Sequence, residues 1–287
     1  MKKLITSSLL ILTFIASNTF AETKIDNHHK TETLAQVSKK LSDPTSNVWA
    51  LFTSVNFTGY SGSDVTGDKY GQNIVFQPIM PFHLTEDVKL ITRPVISFNS
   101  QPALVSEGHT ERHYGLSDLQ LPLMVSPKSD TDFSWAFGPS FILPTNTGDL
   151  EKGHVWQGGA AALMVWKPKG YVLGTLNQYW RNISSEDKEN EQDHGQINLF
   201  LIKSLGGAQE IGITPTITYD NKINNGGGKW NVPLGLTYSF MHRFGSTPAK
   251  VQVGLEKSVI KNDEYGQDWN LKINIIPVVN VKMDPLF

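Results

Sequence analysis

From Val48 onward the chain alternates apolar residues with polar or small ones. In the segment 133–141, an aromatic residue or proline occupies every odd position, while Ser, Ala and Gly occupy the even positions. The same period of two runs through 210–220, 230–240 and 250–256. Because successive side chains of a β-strand point to opposite faces, this alternation predicts strands with one apolar face and one polar face.

Twelve such segments are predicted, and the links between them alternate in length. The segments lie near 48–58, 70–83, 88–99, 113–125, 133–144, 156–167, 171–182, 195–205, 209–220, 229–242, 249–261 and 268–280. Most are as long as the about 9–11 residues that a tilted strand needs to cross a bilayer. Short links at 85–87, 126–132, 168–170, 206–209 and 243–248 alternate with links of similar or greater length. Short turns at one end and longer loops at the other are typical of bacterial outer-membrane barrels.

The sequence therefore predicts an all-β fold, a transmembrane antiparallel up-and-down β-barrel of about 12 strands. In hydrocarbon every backbone N–H and C=O needs a partner within the protein, so such a sheet must close on itself. The tryptophans lie at or near strand ends, as in the aromatic girdles of barrels (Trp49, Trp135, Trp156, Trp166, Trp180, Trp230 and Trp269). Prolines within strands cannot donate to the ladder, so we expect bulges or breaks there (Pro78, Pro94, Pro122, Pro139, Pro215 and Pro233).

The N-terminal region has a different composition and divides the chain into three parts. A positive start, an apolar stretch and a small-residue site predict a cleaved signal peptide over 1–21 and export to the outer membrane of a Gram-negative cell. Residues 22–47 form a periplasmic segment with a short amphipathic helix, in which Leu34, Val37 and Leu41 share one face. We expect residues 48–287 to form the barrel, and the helix segment to plug it partly.

Composition excludes several classes of protein. The chain has no cysteine, so it has neither disulfides nor thiolate metal sites. Its formal net charge of −2 gives no general attraction to nucleic acid, which we do not expect as a partner. After residue 21 no stretch of 18 apolar residues occurs, so no helical span is predicted.

The end of the chain, 269–287, alternates up to a terminal Phe287. This ending resembles the address that the barrel assembly machinery reads in outer-membrane proteins. Other segments resemble a family of outer-membrane proteins named after the phenol meta-degradation pathway: Asp43-Pro44, 75–97, 114–127, 135–149 and the closing DPLF. The resemblance implies a twelve-stranded outer-membrane barrel that moves small, hydrophobic or aromatic molecules. Its partners would be outer-membrane lipid and lipopolysaccharide, the assembly machinery and a small solute.

Motifs that could carry chemistry are few. His109 and His113 are spaced as metal ligands on a helix would be, but they lie in a predicted loop without a third ligand. The acidic loop 184–193 lacks the ordered spacing of a calcium loop. No Gly-x-Ser-x-Gly element accompanies the histidines near strand ends. We therefore expect no catalytic, cofactor or metal site and a protein that is not an enzyme.

The polar strand faces are the functional candidates. A charged residue facing lipid costs about 2–4 kcal/mol for Arg or Lys at the midplane, which places charged residues inside. The predicted lumen residues are Arg93, Asp118, Gln120, Asn177, Arg181, Glu210, Thr214, Thr216, Glu256 and Lys272. They would line a channel for small solutes or form a scaffold that holds a sealed barrel shut. A structural or surface-interaction barrel, a lipid-modifying barrel enzyme and a soluble periplasmic β-protein remain alternatives.

Overall fold

The computed structural model describes residues 33–66, 69–103, 111–147, 155–183, 191–223, 228–245, 247–279 and 285. The predicted signal peptide, most of the acidic loop, His109 and Phe287 lie outside the described residues. The elements are α1 (Leu34–Ser42), β1 (Trp49–Ser61), β2 (Tyr70–His83), β3 (Val88–Thr92), β4 (Ile96–Gln101), β5 (His113–Leu116), β6 (Leu119–Pro127), β7 (Phe133–Leu143), β8 (Gln157–Trp166), β9 (Tyr171–Asn182), β10 (Asp193–Gly206), β11 (Gln209–Ile213), β12 (Thr216–Asp220), β13 (Trp230–Phe244), β14 (Thr247–Ile260) and β15 (Gly266–Val279).

These strand segments form one closed antiparallel barrel. The pairs β3/β4, β5/β6 and β11/β12 each make one interrupted barrel strand, so the barrel has 12 strands, as the alternation predicts. Closure comes from β1, which pairs with β15 on one side and with β2 on the other. The predicted barrel and its short N-terminal helix are confirmed. We call the end with the short links the short-turn end and the opposite end the loop end.

The strand interruptions follow the prolines only in part. The ladder stops at Pro94 and at Pro215, and its register shifts at Pro233. The expectation is wrong for Pro78, which lies in an unshifted and continuous ladder. The ladder between β6 and β7 keeps its register beside Pro122 and Pro139, but the pairs that Leu123 and Met124 would make are missing. A further break at Ser117-Asp118 has no proline, and the register of β5 with β4 differs by one residue from that of β6 with β3. This extra residue turns both Ser117 and Asp118 toward the interior.

The outer surface carries most of the large apolar side chains. Trp135 and Trp166 are exposed near the short-turn end, and Trp156, Trp230 and Trp269 near the loop end. This distribution suits a barrel with lipid around it, since tryptophan prefers the headgroup level. Trp180 departs from the expected girdle: it points inward, is 1% exposed and donates from Nε1 to Ser140 Oγ at 2.9 Å.

The helix α1 lies inside the barrel at the short-turn end. A capping box begins it, because Gln36 N donates to Thr33 Oγ1 and Thr33 N donates to Gln36 Oε1. Its apolar face, Val37 and Leu41, packs on inward-facing Ala50, Ala208, Met241 and Ile276. Within the described ranges, no helix is long and apolar enough to cross a membrane.

A second apolar cluster fills the opposite side of the lumen near the short-turn end. Its members share the inner face of neighbouring strands: Ile91, Met124, Ala136, Ala161, Leu163, Val165, Val172, Leu176 and Ile202. Ile79 packs against this cluster and against the one around α1, so the two join. The short-turn end of the lumen is therefore filled, whereas the described residues leave space toward the loop end.

Candidate functional site: the lumen cavity

A cavity of about 720 Å³ occupies the lumen between α1 and the loop end. Its floor comes from Leu41, Ser42 and Pro44 of the α1 segment together with apolar wall residues (Phe52, Ile79, Ile91, Met124, Leu163, Leu176, Phe200, Ile202 and Ile276). Its upper wall is rich in side-chain amides (Asn56, Asn73, Gln77, Gln120, Gln157, Gln178, Gln196, Asn198, Gln252, Gln267, Asn270 and Asn274). A molecule in the cavity would meet an apolar surface below and hydrogen-bonding groups above.

The floor is held in place by a buried ion pair between two barrel strands. Lys250 on β14 is 0% exposed, and its Nζ lies 2.6 Å from Glu210 Oε2 on β11. The same ammonium donates to Ser38 O at 2.8 Å and to Ser42 Oγ. Glu210 in turn accepts from Ser38 Oγ at 3.1 Å and from Ser42 Oγ at 2.8 Å. The two serines on this face of α1 thus both have partners on the barrel wall, as buried polar groups require.

A second anchor follows α1. Asp43 Oδ2 lies 3.1 Å from Lys167 Nζ, which also donates to Ser134 Oγ at 3.0 Å. The other oxygen of Asp43 accepts from Thr45 N at 2.8 Å and from Thr45 Oγ1. Lys89 reaches Thr45 O from β3. The chain leaving the helix is therefore attached to one arc of the barrel wall, which runs from β3 to the end of β8.

A lysine closes the gap that Pro215 leaves in the ladder. Lys272 on β15 donates to Thr214 O at 2.9 Å and to Glu256 Oε1 at 2.5 Å. Its side chain spans the inner surface between β15 and the break between β11 and β12. Lys272 and Glu256 neutralise each other, and the Thr214 carbonyl at the break in the ladder has a donor.

Arg93 stands at the break between β3 and β4, at the boundary between the apolar floor and the amide-rich wall. Its Nη2 donates to Gln77 Oε1 at 2.6 Å. Its Nε is buried without an acceptor. Among the described residues, no carboxylate forms an ion pair with this guanidinium.

A smaller cavity of about 430 Å³ forms the mouth at the loop end and shares several wall residues with the main cavity, including Tyr60, Gln120 and His194. Tyr60 stacks on Tyr265 with ring centroids 5.0 Å apart. The two cavities make one path from the loop end down to α1.

Outside the barrel strands, a hydrogen bond from Lys222 lowers the pKa of the Glu191 carboxyl below its ordinary value.

The structure brings most of the predicted lumen residues to the inner face. Arg93, Asp118, Gln120, Thr214, Thr216, Glu256 and Lys272 line the cavity. Glu210 also points inward, but it lies beneath α1 as part of the ion pair that holds the helix. The feature that the sequence reading missed is the lysine partner, Lys250, because a lysine next to a short turn is ordinarily exposed.

The assignment of Asn177 and Arg181 to the lumen is wrong. On β9 the cavity is lined by Leu176 and Gln178, which have the opposite parity. The inner face of β9 packs on the apolar cluster, so on this strand apolar residues point inward. Arg181 is 59% exposed on the outer face near the loop end, where its Nε lies 3.6 Å from Asp193 Oδ2.

Among the described residues, no three His, Cys, Asp or Glu side chains lie close enough together to hold a metal ion. His194 lines the cavity, and its Nε2 lies 2.7 Å from Gln157 Oε1. This contact fixes the ring against the wall.

Comparison with solved structures gives the class of fold. The structure is similar to the COG4313 outer membrane channel from Pseudomonas putida F1, with a TM-score of 0.58 and 10% identity over 81% of this chain and 94% of that chain. The translocator domain of the autotransporter NalP from Neisseria meningitidis has a TM-score of 0.44 and 9% identity over 86% and 93%. The outer membrane channel DcaP of Acinetobacter baumannii has a TM-score of 0.33 and 8% identity over 81% and 96%.

The first of these shows the fold of this chain, a closed barrel of the outer-membrane type, and the other two are too distant to carry an argument. No family model matches the sequence. No curated protein matches it either. The resemblance to the phenol-pathway family therefore stays a prediction.

Proposed function

We propose that the protein is an outer-membrane channel that takes up small solutes of partly apolar character. The observation that carries this proposal is the cavity of about 720 Å³, which opens at the loop end and ends on the apolar floor at α1. The interior of an eight-stranded barrel is just wide enough for side chains to fill. A twelve-stranded barrel is wider, and in this one part of the extra space is left open instead of being filled by side chains.

In the proposed orientation the short-turn end faces the periplasm and the loop end faces outward, as in other outer-membrane barrels. The exposed tryptophans near both ends would then meet the two headgroup layers. The same proposal includes export by the predicted signal peptide. Its partners are the assembly machinery and the lipopolysaccharide leaflet.

Passage into the periplasm requires α1 to move, because Leu41, Ser42 and Pro44 close the cavity below. The described conformation would therefore be the closed state. A solute enters from the loop end, loses its hydration water as it passes the amide side chains, and binds on the apolar floor. Burial of apolar area supplies the driving force, about 25 cal/mol for each Å² removed from water.

Single-channel recording of the refolded mature chain in a planar bilayer tests the proposal. We expect rare, small openings for the wild-type protein. The variant K250M, which weakens the attachment of α1, should open more often. Heat-modifiable migration in gels would show that each preparation is folded. If both folded proteins were silent, and liposomes containing either were impermeable to small aromatic solutes, the channel would be rejected in favour of a sealed barrel.

A further inference from the structure

The proposed uptake of solutes does not specify which ligand the cavity binds. The inference about the ligand rests on the proposed channel function. We propose that the cavity binds a small carboxylate with an apolar body, whose acid group pairs with Arg93 while its body lies on the floor beside Ile79 and Ile91. The candidate ligand is thus a singly charged aromatic or short aliphatic acid.

The first argument is the unpaired charge of Arg93. An arginine offers five N–H donors in a planar fork, and here Gln77 takes a single hydrogen bond from Nη2, at 2.6 Å. The acceptor is a neutral amide oxygen, so no described residue that bonds to Arg93 compensates its positive charge. In a site of low dielectric constant, an unpaired cation is costly and strongly favours an anion beside it.

The second argument is that neither described carboxylate on the cavity wall, Asp118 or Glu256, pairs with Arg93. Lys272 and Glu256 neutralise each other at 2.5 Å. Asp118 Oδ1 accepts from the backbone N of Asn146 at 2.9 Å and from its Nδ2 at 2.8 Å. Neither carboxylate forms an ion pair with Arg93, whose charge is left for a ligand of opposite sign.

The third argument is the surface directly beneath the guanidinium. The register that pairs Met80 with Thr92 places Ile79 opposite Arg93 on the neighbouring strand. Ile91 precedes Arg93 by two residues on the same face and is 1% exposed. Both isoleucines line the cavity. A ligand whose charge meets Arg93 would therefore have hydrocarbon in contact with these side chains, which suits an acid with an apolar body.

The planar carboxylate suits this site because an arginine binds it through two parallel N–H···O bonds. The single positive charge of Arg93 matches the single negative charge of a carboxylate. A neutral alcohol of the same size would occupy the floor equally well but would leave the guanidinium unpaired. Affinity for the acid should therefore exceed affinity for the alcohol, and Arg93 should account for the difference.

Calorimetric titration of the protein in lipid nanodiscs at pH 7 tests this, with benzoate and benzyl alcohol as probes. Wild-type protein should bind benzoate at least tenfold more tightly than benzyl alcohol. R93Q should lose at least tenfold in benzoate affinity and keep its affinity for benzyl alcohol. R93K should lie between them, because a lysine keeps the charge but not the fork. K257Q removes an exposed positive charge at the loop end and serves as the matched control.

Equal benzoate affinities for wild type and R93Q would overturn the proposal, as would a parallel loss of both probes. Should R93Q fail to fold, Q77L provides a second test. It frees the guanidinium from its neutral acceptor and should strengthen benzoate binding, and weaker binding would contradict the proposal. Conductance is recorded on the same preparations. A conducting channel with no Arg93-dependent binding refutes only the carboxylate site, whereas Arg93-dependent binding in a silent barrel refutes only the channel.

Discussion

Replacing Lys250 by methionine should release α1 from the lumen. Lys250 is 0% exposed and pairs with Glu210 at 2.6 Å, so the substitution leaves a carboxylate buried without its cation. Breaking a buried ion pair in this way costs about 3–5 kcal/mol. The burial of Val37 and Leu41, the other support of the helix, contributes about 1.5–3 kcal/mol each. The loss is therefore comparable with the whole apolar contribution.

At about 1.4 kcal/mol for each factor of ten, this loss raises the undocked fraction of α1 about 100-fold or more. Because the chain has no cysteine, a single V37C substitution gives one clean labelling site. Val37 is 5% exposed, so maleimide should react slowly in V37C and much faster in V37C/K250M. Lys128, exposed at a short turn, supplies the matched control K128M.

The double variant E210Q/K250M separates charge from shape. It removes both ions, so no charge stays uncompensated, and it should release α1 less than K250M alone. Equal labelling rates for V37C with and without K250M, in proteins shown to be folded, would refute the role of the ion pair. Faster labelling in the double variant than in the single one would refute the electrostatic reasoning.

Three further changes have defined outcomes. D43N, which breaks the 3.1 Å ion pair with Lys167, should cost the docked state about 1.5–3 kcal/mol and speed the labelling of V37C less than K250M does. W180F should lower the free energy of unfolding in urea by about 1–3 kcal/mol, because Ser140 loses the indole N–H donor at 2.9 Å. G159A should fail to refold into liposomes, since its Cβ would lie 1.8 Å from a backbone oxygen of the neighbouring strand. A normal yield of heat-modifiable G159A would contradict that geometry.

The barrel could be predicted because a lipid-facing strand must alternate and a closed sheet must have long, regularly linked strands. The inner face was harder to assign where the lumen is filled rather than wet. On β9, Val172 and Leu176 point inward to an apolar cluster, so the rule that polar residues face the lumen assigns Asn177 wrongly. On the last strand the sequence does indicate a filled lumen. Ile276 is an apolar residue among polar, inward-facing positions, and α1 packs on it.

Only part of the arrangement of charged residues in the candidate site could be predicted from the sequence. Arg93 and Glu256 could be placed inside because a charge facing lipid is costly. That Arg93 is unpaired, while Lys272 and Glu256 pair with each other, depends on the curvature and stagger of the closed barrel. Alternation along one strand determines which face of the sheet a side chain lies on. It does not determine which charged side chain of another strand lies beside it.

The attachment of α1 also constrains the order in which the protein can assemble. Ser38 bonds to Glu210 across 172 positions of the chain, and Lys250 bonds to Ser38 across 212. Contacts over such separations form late, since a long loop must close before they contribute any free energy. The strands that carry Glu210 and Lys250 must be in place on either side of β13 before the helix has a binding site. The first helix of the described chain is then the last part to be fixed, and an incompletely closed barrel would have an open interior until that final step.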